Sequence, residues 1–164
     1  MIYSGTLYRA ELYDKHTAPY TSCKEVYEAN KDRYKDKYLV VSNAHWYDSG
    51  PKAVGNYKVS GTVISKEWNS AIGFLWSGNE QPVMGWSNMT SKDNFICTIP
   101  VLMNSKKLDY SGQTSGVKRS CFRTWFGFNK DNECTIEITT TNYTLDEIVD
   151  RMISLGIVNG IVLD

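Results

Sequence analysis

Hydrophobic and polar residues alternate in short runs along much of the chain, and glycine or asparagine separates neighbouring runs. The clearest cases are "NYKVSGTVIS" around Ser60-Gly61, "GFLWSGNEQPVMGW" around Gly78-Asn79 and "RTWFGFNKDNECTIEITT" around Asn129–Asn132. Alternation with a period of two is typical of β-strands, and Gly or Asn allows the positive φ angles of a tight hairpin turn. The pattern therefore predicts three antiparallel hairpins.

Three further segments have the composition of single strands. "TLYRAELY" (6–13) alternates apolar and polar residues, "YLVVS" (38–42) is short and β-branched, and "IVNGIVLD" (157–164) is strongly apolar. We expect the first to be a half-buried strand and the last to lie inside a sheet.

Two helices are marked by their N-terminal capping residues. Ser22 and Glu25 have the spacing of a capping box, and so do Thr144 and Glu147, whose helix is followed by Gly156 at the C-cap position. The apolar face of this second helix consists of Leu145, Ile148, Val149, Met152 and Leu155. The first helix, with a weak apolar stripe, is predicted at the surface and the second against the core.

Together these elements predict an α+β fold in which a mostly antiparallel, hairpin-rich sheet packs against two helices. The chain has 164 residues, and a chain of this length buries roughly 70% of the surface of its unfolded form. We therefore predict a single domain over residues 1–164.

Composition narrows the function classes. Lys and Arg total 18 and Asp and Glu total 18, so no net charge draws the protein to a nucleic acid polymer or an anionic membrane. The N-terminus lacks the basic start and apolar run of a signal peptide, so we expect a cytoplasmic protein. The four cysteines and two histidines lack zinc-ligand spacing, which predicts free, mostly buried thiols and no cofactor.

Three blocks of the sequence resemble the phosphodiester glycosidase family, which has bacterial and phage members. "VVSNAHWYDSGPKAVGNYKVSGTVIS" is similar to its asparagine-aromatic block, "KRSCFRTWFGF" to its Arg-Thr-x-x-Gly block, and "YTLDEIVDRMISLGIVNGIVLD" to its final helix and strand. The resemblance covers about Tyr38 to Asp164 and implies a hydrolase that cleaves the glycosidic bond of a sugar or ribose phosphodiester. In the family a glycine-rich turn follows this strand, and we expect this chain to end before that turn.

The resemblance implies three substrate-binding residues. Arg123 would grip the phosphate with its planar fork of donors, Thr124 would donate to a phosphate oxygen, and Asn43 would bind sugar hydroxyls. Their ordinary alternatives are a salt-bridging role for Arg123 and a turn cap for Asn43.

Three further residues are candidates for catalysis. Asp164 would lie near the anomeric carbon and stabilise an oxocarbenium-like charge, activate water or attack directly. His45, whose ordinary pKa is near neutrality, would shuttle a proton, and Asp48 would orient it. A divalent cation bound by both Asp48 and Asp164 is an open alternative, although no cluster of ligand residues in the sequence requires one. The ordinary alternatives are a solvated terminal Asp164 and a half-buried structural His45.

The missing turn leaves other functions open. Glycine-rich turns let backbone N–H groups approach a phosphate, so a chain without one favours a non-catalytic, phage-type protein that sequesters a nucleotide- or sugar-phosphate ligand. A phage structural domain that kept only the fold is a third alternative. The expected partner of the first two is a small-molecule or glycan phosphodiester. A homo-oligomer also stays open, because an unpaired terminal strand can pair across an interface.

Overall fold

The computed structural model of the chain describes residues 1–13, 20, 22–44 and 55–163. This part contains the helices α1 (Cys23–Asn30), α2 (Ser115–Lys118) and α3 (Leu145–Ser154). Its strands are β1 (Ile2–Thr6), β2 (Tyr57–Val59), β3 (Thr62–Ser65), β4 (Ala71–Trp76), β5 (Val83–Ser87), β6 (Asn94–Ile96), β7 (Ile99–Met103), β8 (Lys106–Lys107), β9 (Thr124–Asn129), β10 (Glu133–Ile138) and β11 (Ile157–Leu163). The predicted α+β class is confirmed.

The strands form two sheets, where the sequence predicted one. A six-stranded sheet has the order β1-β10-β9-β11-β7-β8, and a five-stranded sheet has the order β3-β2-β6-β4-β5. Neighbouring strands in both sheets are antiparallel, as predicted. A third helix, α2, was not predicted, because it has only four residues.

All three predicted hairpins are present. The β2–β3 turn has positive φ at Ser60 (47°) and Gly61 (84°), the conformation of a two-residue turn that matches the twist of its strands. Gly78 has φ of 52° in the longer β4–β5 connection. In the β9–β10 turn, Asn129 Oδ1 accepts hydrogen bonds from the backbone N–H groups of Asp131 and Glu133, both at 2.9 Å. The local turn chemistry thus fixes these pairings.

The two predicted helices begin at their capping residues. Ser22 Oγ accepts from Glu25 N at the start of α1, and the full capping box of Thr144 and Glu147 opens α3. Leu155, expected on the apolar face of α3, is 41% exposed because it is the C-cap residue and lies beyond the buried stripe. None of the helices in the described ranges combines the length and hydropathy needed to cross a bilayer.

The six-stranded sheet is the middle of three layers. On one face, Ile148, Val149 and Met152 of α3 pack with Trp125 and Val162 of the sheet. On the other face the two sheets meet, and their contact cluster contains Phe74, Ile96, Phe128, Ile161 and Leu163. Strand β11 lies inside the six-stranded sheet, as predicted, and supplies side chains to both cores.

The segment Leu7–Tyr13, here called the N-terminal strap, is not the strand that its alternation predicted. The strand lies earlier, at β1, and pairs with β10 at the sheet edge. Side chains of the five-stranded sheet and its β4–β5 loop bind three carbonyl oxygens of the strap: Gln81 Nε2 binds Leu7 O at 2.6 Å, Trp76 Nε1 binds Ala10 O at 3.1 Å, and Tyr57 Oη binds Tyr13 O at 3.1 Å. These hydrogen bonds occupy carbonyl groups that, in a β-strand, would pair with the adjacent strand of a sheet.

Residues 38–42 were also predicted as a strand, and that prediction is wrong. The segment has irregular structure, and its residues line a large cavity rather than joining either sheet. Leu39, Val40 and Val41 are half-buried there. The apolar, β-branched composition that resembled a short strand is thus explained by partial burial of these side chains at the cavity wall.

Candidate functional site

A cavity of about 1260 Å³ lies between the N-terminal strap, α1 with the segment that follows it, and the two sheets. Apolar side chains from both sheets contribute to its wall, among them Trp76, Ile96, Phe126, Ile161 and Leu163. Polar and charged groups reach it from the strap and from the α1 region. A concave, mainly apolar space with a few convergent polar groups is the usual form of a small-molecule site.

One carboxylate in this wall receives an unusual number of donors. Tyr13 donates a short hydrogen bond to Glu11 Oε2, and Tyr34 Oη donates to Glu11 Oε1 at 2.9 Å. Arg9 Nε lies 2.5 Å from Glu11 Oε1, and Arg33 Nη1 lies 3.4 Å from the same oxygen. We call these five residues the Glu11 cluster.

Electrostatics hold Glu11 in its ionised form. Burial acts to raise its pKa, but the hydrogen bonds from Tyr13 and Tyr34 and the charges of Arg9 and Arg33 outweigh burial, so the pKa is lowered. Burial, followed by the contact with Glu11, raises the pKa values of both tyrosines. At neutral pH the site therefore presents a carboxylate with two phenol donors, and neither phenol is activated as a nucleophile.

The strap and the α1 region are brought together by local structure on both sides. Strap residues 9, 11 and 13 alternate, while Arg33 and Tyr34 lie in the turn that continues α1, where Tyr34 N binds Asn30 O at 3.2 Å. The Tyr13 hydroxyl also lies 3.3 Å from Asn30 Oδ1. The turn after α1 thus delivers one side of the cluster and the strap delivers the other.

Arg123, predicted to contact substrate, is buried, with only 4% of its surface exposed. Its Nε donates to Tyr143 O at 3.2 Å, and its Nη2 donates to Val117 O at 2.7 Å and Arg119 O at 2.5 Å. Burial lowers its pKa. These contacts tie α2 and the segment before α3 to the start of β9, and the predicted phosphate contact stays a prediction.

Thr124 and Asn43 lie in separate places. Thr124 opens β9 and pairs with Leu163 of β11, so the register brings the last described residue beside the Arg-Thr block. Asn43 is exposed at the wall of the cavity, where its Oδ1 accepts from Cys23 Sγ at 3.2 Å. Of the predicted binding residues that the structure describes, Asn43 is thus the one in the cavity wall. The structure does not test its contact with a sugar.

The three predicted catalytic residues, Asp164, His45 and Asp48, lie outside the described residues. Their roles and the divalent cation that Asp48 and Asp164 left open stay predictions. Among the residues that are described, no group of three or more His, Cys, Asp or Glu side chains is arranged to hold a metal ion.

The thiols are free, and Cys97 and Cys134 are buried while Cys23 and Cys121 are partly exposed. Burial raises the pKa of Cys134, which lines the cavity, to about 12. It is therefore a protonated thiol at neutral pH and a poor nucleophile.

Sequence reasoning missed the Glu11 cluster. Its members come from two segments that are distant in sequence and outside the three family-like blocks. A signal was nevertheless present: in "TLYRAELY" the residues Arg9, Glu11 and Tyr13 occupy alternate positions, which puts a cation, an anion and a phenol on one side of an extended segment.

The comparisons with known proteins support the fold. No family model matches the chain, and no curated protein matches it. Among solved structures, it is similar to the catalytic domain of zebrafish N-acetylglucosamine-1-phosphodiester alpha-N-acetylglucosaminidase, auto-inhibited by pro-peptide. The two are 15% identical with a TM-score of 0.55, and the match covers 74% of this chain and 49% of that chain. The likeness is one of fold.

A second solved structure, a hypothetical protein from Synechocystis, matches with 12% identity and a TM-score of 0.41 over 51% of this chain and 18% of that chain. Both matches span less than half of the solved chains' own length.

Proposed function

We propose that this chain hydrolyses the glycosidic bond of a sugar or ribose phosphodiester that binds in the large cavity. The observation that carries the proposal is an ionised carboxylate, Glu11, in the wall of a cavity of about 1260 Å³. Known small-molecule sites occupy about 300–1,000 Å³, so a sugar with its phosphate has room here. The fold likeness to a domain that is named as a phosphodiester glycosidase supports the same reaction class.

The chemistry needs little acid catalysis, because the leaving group is a phosphate monoester that departs as a stable anion. The main requirement is to stabilise the positive charge that develops at the anomeric carbon in the transition state. A carboxylate stabilises that charge, and Glu11 is held ionised for this role by its phenol and guanidinium neighbours.

The family-like residues enter the proposal as predicted from the sequence. Asp164, His45 and Asp48 supply the second carboxylate and the proton shuttle, and Asn43 binds sugar hydroxyls from the cavity wall. Because glycosidases use paired carboxyl groups, Glu11 and Asp164 are the pair that we assign.

A mass-spectrometric turnover assay tests the proposal. The parent chain and Glu11→Gln are incubated with a panel of sugar-1-phosphodiesters and nucleotide-derived phosphodiesters. We expect the parent to release free sugar and a phosphate monoester, and Glu11→Gln to lower kcat by about 10²-fold or more. The matched control is Asp150→Asn, an exposed carboxylate on α3 at the opposite face of the six-stranded sheet, which should keep the parent rate.

A second candidate function is sequestration of a sugar- or nucleotide-phosphate without turnover. The specific observation in its favour is that Glu11 already has four donor groups, an arrangement that also suits a rigid binding wall. In the same assay this function predicts that one panel member is recovered intact and bound to the parent, with no free sugar formed.

A further inference from the structure

A smaller cavity of about 270 Å³ lies beside the Glu11 cluster. Its walls are Tyr8, Arg9, Arg33, Tyr34, Asp36 and Lys37, and all of these except Arg33 also line the large cavity. The two spaces therefore share a wall. We call the smaller space the cationic recess.

Aromatic rings orient two of the three cations of the recess. Lys37 Nζ lies 5.2 Å from the centroid of the Tyr8 ring, and Arg33 Cζ lies 5.1 Å from that of Tyr34. A ring face holds a cation without using the strong acceptors that would compete with an anionic ligand. The Tyr8 ring thus positions Lys37, and Arg33 is positioned by the Tyr34 ring together with its ion pair to Glu11 Oε1 at 3.4 Å.

The third cation, Arg9, is half-buried beside Glu11. Its Nε is buried without a well-oriented hydrogen bond among the described residues, although Glu11 Oε1 lies 2.5 Å away as an ion-pair partner. A guanidinium presents several N–H donors in one plane, the geometry that matches a phosphate. Arg9 lines both cavities and therefore connects the recess to the large cavity.

The local charge balance favours a monoanion. Three cations face two carboxylates, Asp36 in the recess wall and Glu11 beside it, which leaves one positive charge. A phosphodiester carries one negative charge and would neutralise it. By contrast, the guanidinium of Arg123 already donates to three carbonyl groups in another part of the fold.

We propose that the cationic recess is the phosphate subsite of this protein, with Arg9, Arg33 and Lys37 as its ligands. The inference rests on the proposed function, because it names where the phosphate of that substrate binds. The sugar would then occupy the large cavity, and the bond between them would lie near Glu11, which lines the large cavity beside the recess.

The test is an NMR titration of the ¹⁵N-labelled full chain with inorganic phosphate, repeated for Arg33→Ala, Lys37→Ala and Lys35→Ala. Lys35 is the matched control, since it is exposed in the same turn and lines neither of these two cavities. We expect the Kd for phosphate to rise about tenfold in Arg33→Ala and Lys37→Ala and to stay within about twofold of the parent in Lys35→Ala. The Arg33 side chain is 53% exposed, so its variant should fold, and the amide spectrum verifies this.

Two results would overturn the subsite. One is phosphate binding that weakens equally in all three variants, which indicates general charge attraction, and the other is an absence of shifts around Arg33 and Lys37. The turnover assay separates this failure from that of the proposed function. If Arg33→Ala hydrolyses the substrate with an unchanged KM, the subsite proposal is wrong and the hydrolase proposal stands. If phosphate binds specifically but no substrate is turned over, the subsite proposal stands and the hydrolase proposal is wrong.

Discussion

At the scale of single residues, Glu11 has the clearest pH dependence. Its pKa is lowered in the folded chain from an ordinary value of 4.5, so its contacts stabilise the fold above about pH 4.5, and the effect is lost as the pH falls through the lower, folded-state pKa. We predict that Glu11→Gln lowers the free energy of unfolding by on the order of 1 kcal/mol at pH 7, a modest value because solvent screens the cluster.

Urea unfolding of the parent and Glu11→Gln from pH 3 to pH 8 checks this prediction. The difference between the two chains should be constant near neutrality and should shrink below about pH 4.5. The comparison isolates Glu11, because other carboxylates with lowered pKa values, such as Glu137 beside Arg151, are present in both chains. A difference that grows on acidification would contradict the assignment of an ionised Glu11.

Arg123 is expected to contribute mainly to stability. Arg123→Ala would remove the guanidinium that donates to three partly buried carbonyl groups, at a cost of about 2–4 kcal/mol in urea unfolding, although Tyr143 O keeps its hydrogen bond from Cys121 N. Arg119→Ala, a change at an exposed neighbour, should cost less than about 0.5 kcal/mol. If Arg123→Ala instead keeps the parent stability and loses phosphodiester turnover, the contact predicted from the sequence is the correct role.

At the scale of elements, β9 and β11 approach each other closely where Gly127 faces Gly160. A Cβ at position 127 would lie 2.6 Å from Asn159 O and 2.6 Å from Ile157 Cγ2, whereas a Cβ at position 160 first meets the flexible Met152 Sδ at 2.7 Å. We predict that Gly127→Ala costs about 2–4 kcal/mol and Gly160→Ala distinctly less, because a thioether moves more easily than a backbone carbonyl.

Thermal and urea unfolding of the two variants measures this order, and equal costs would contradict it. The result bears on the Arg-Thr-x-x-Gly block, whose first residue binds carbonyl groups and whose glycine permits strand contact. Both ends of the block are therefore explained by the fold, whichever ligand the protein binds.

The elements that could be predicted from the sequence are those whose cause is local. The capping box of Thr144 and Glu147 and the turn at Ser60-Gly61 act within a few residues, and both elements are confirmed. The N-terminal strap could not be predicted, because side chains more than forty positions away, such as Trp76, bind its carbonyl groups. The Glu11 cluster depends on the same long-range contacts of the strap, so it could not be predicted from the sequence for the same reason.

At the scale of the whole molecule, the large cavity lies between the sheets and two N-terminal parts of the chain, the strap and the α1 region. Its walls come from the strap, from α1 with its following turn, and from both sheets, so a ligand within it would contact the strap together with the sheets, and Tyr57 and Trp76 of the five-stranded sheet bind the strap's carbonyl groups. A ligand that binds only the folded chain stabilises it according to its concentration relative to Kd.

We therefore predict that the panel member selected by the turnover or binding assay raises the Tm of the parent. At about 100 times Kd the gain is about 2.7 kcal/mol, which for a chain of this length shifts Tm by about 5–10 °C. Amide hydrogen exchange in the strap should slow at the same time, because its local opening is coupled to the occupied cavity. Arg33→Ala should reduce the shift produced by a sugar phosphodiester, and Lys35→Ala should preserve it. A full shift without any protection of the strap would place the ligand elsewhere on the protein.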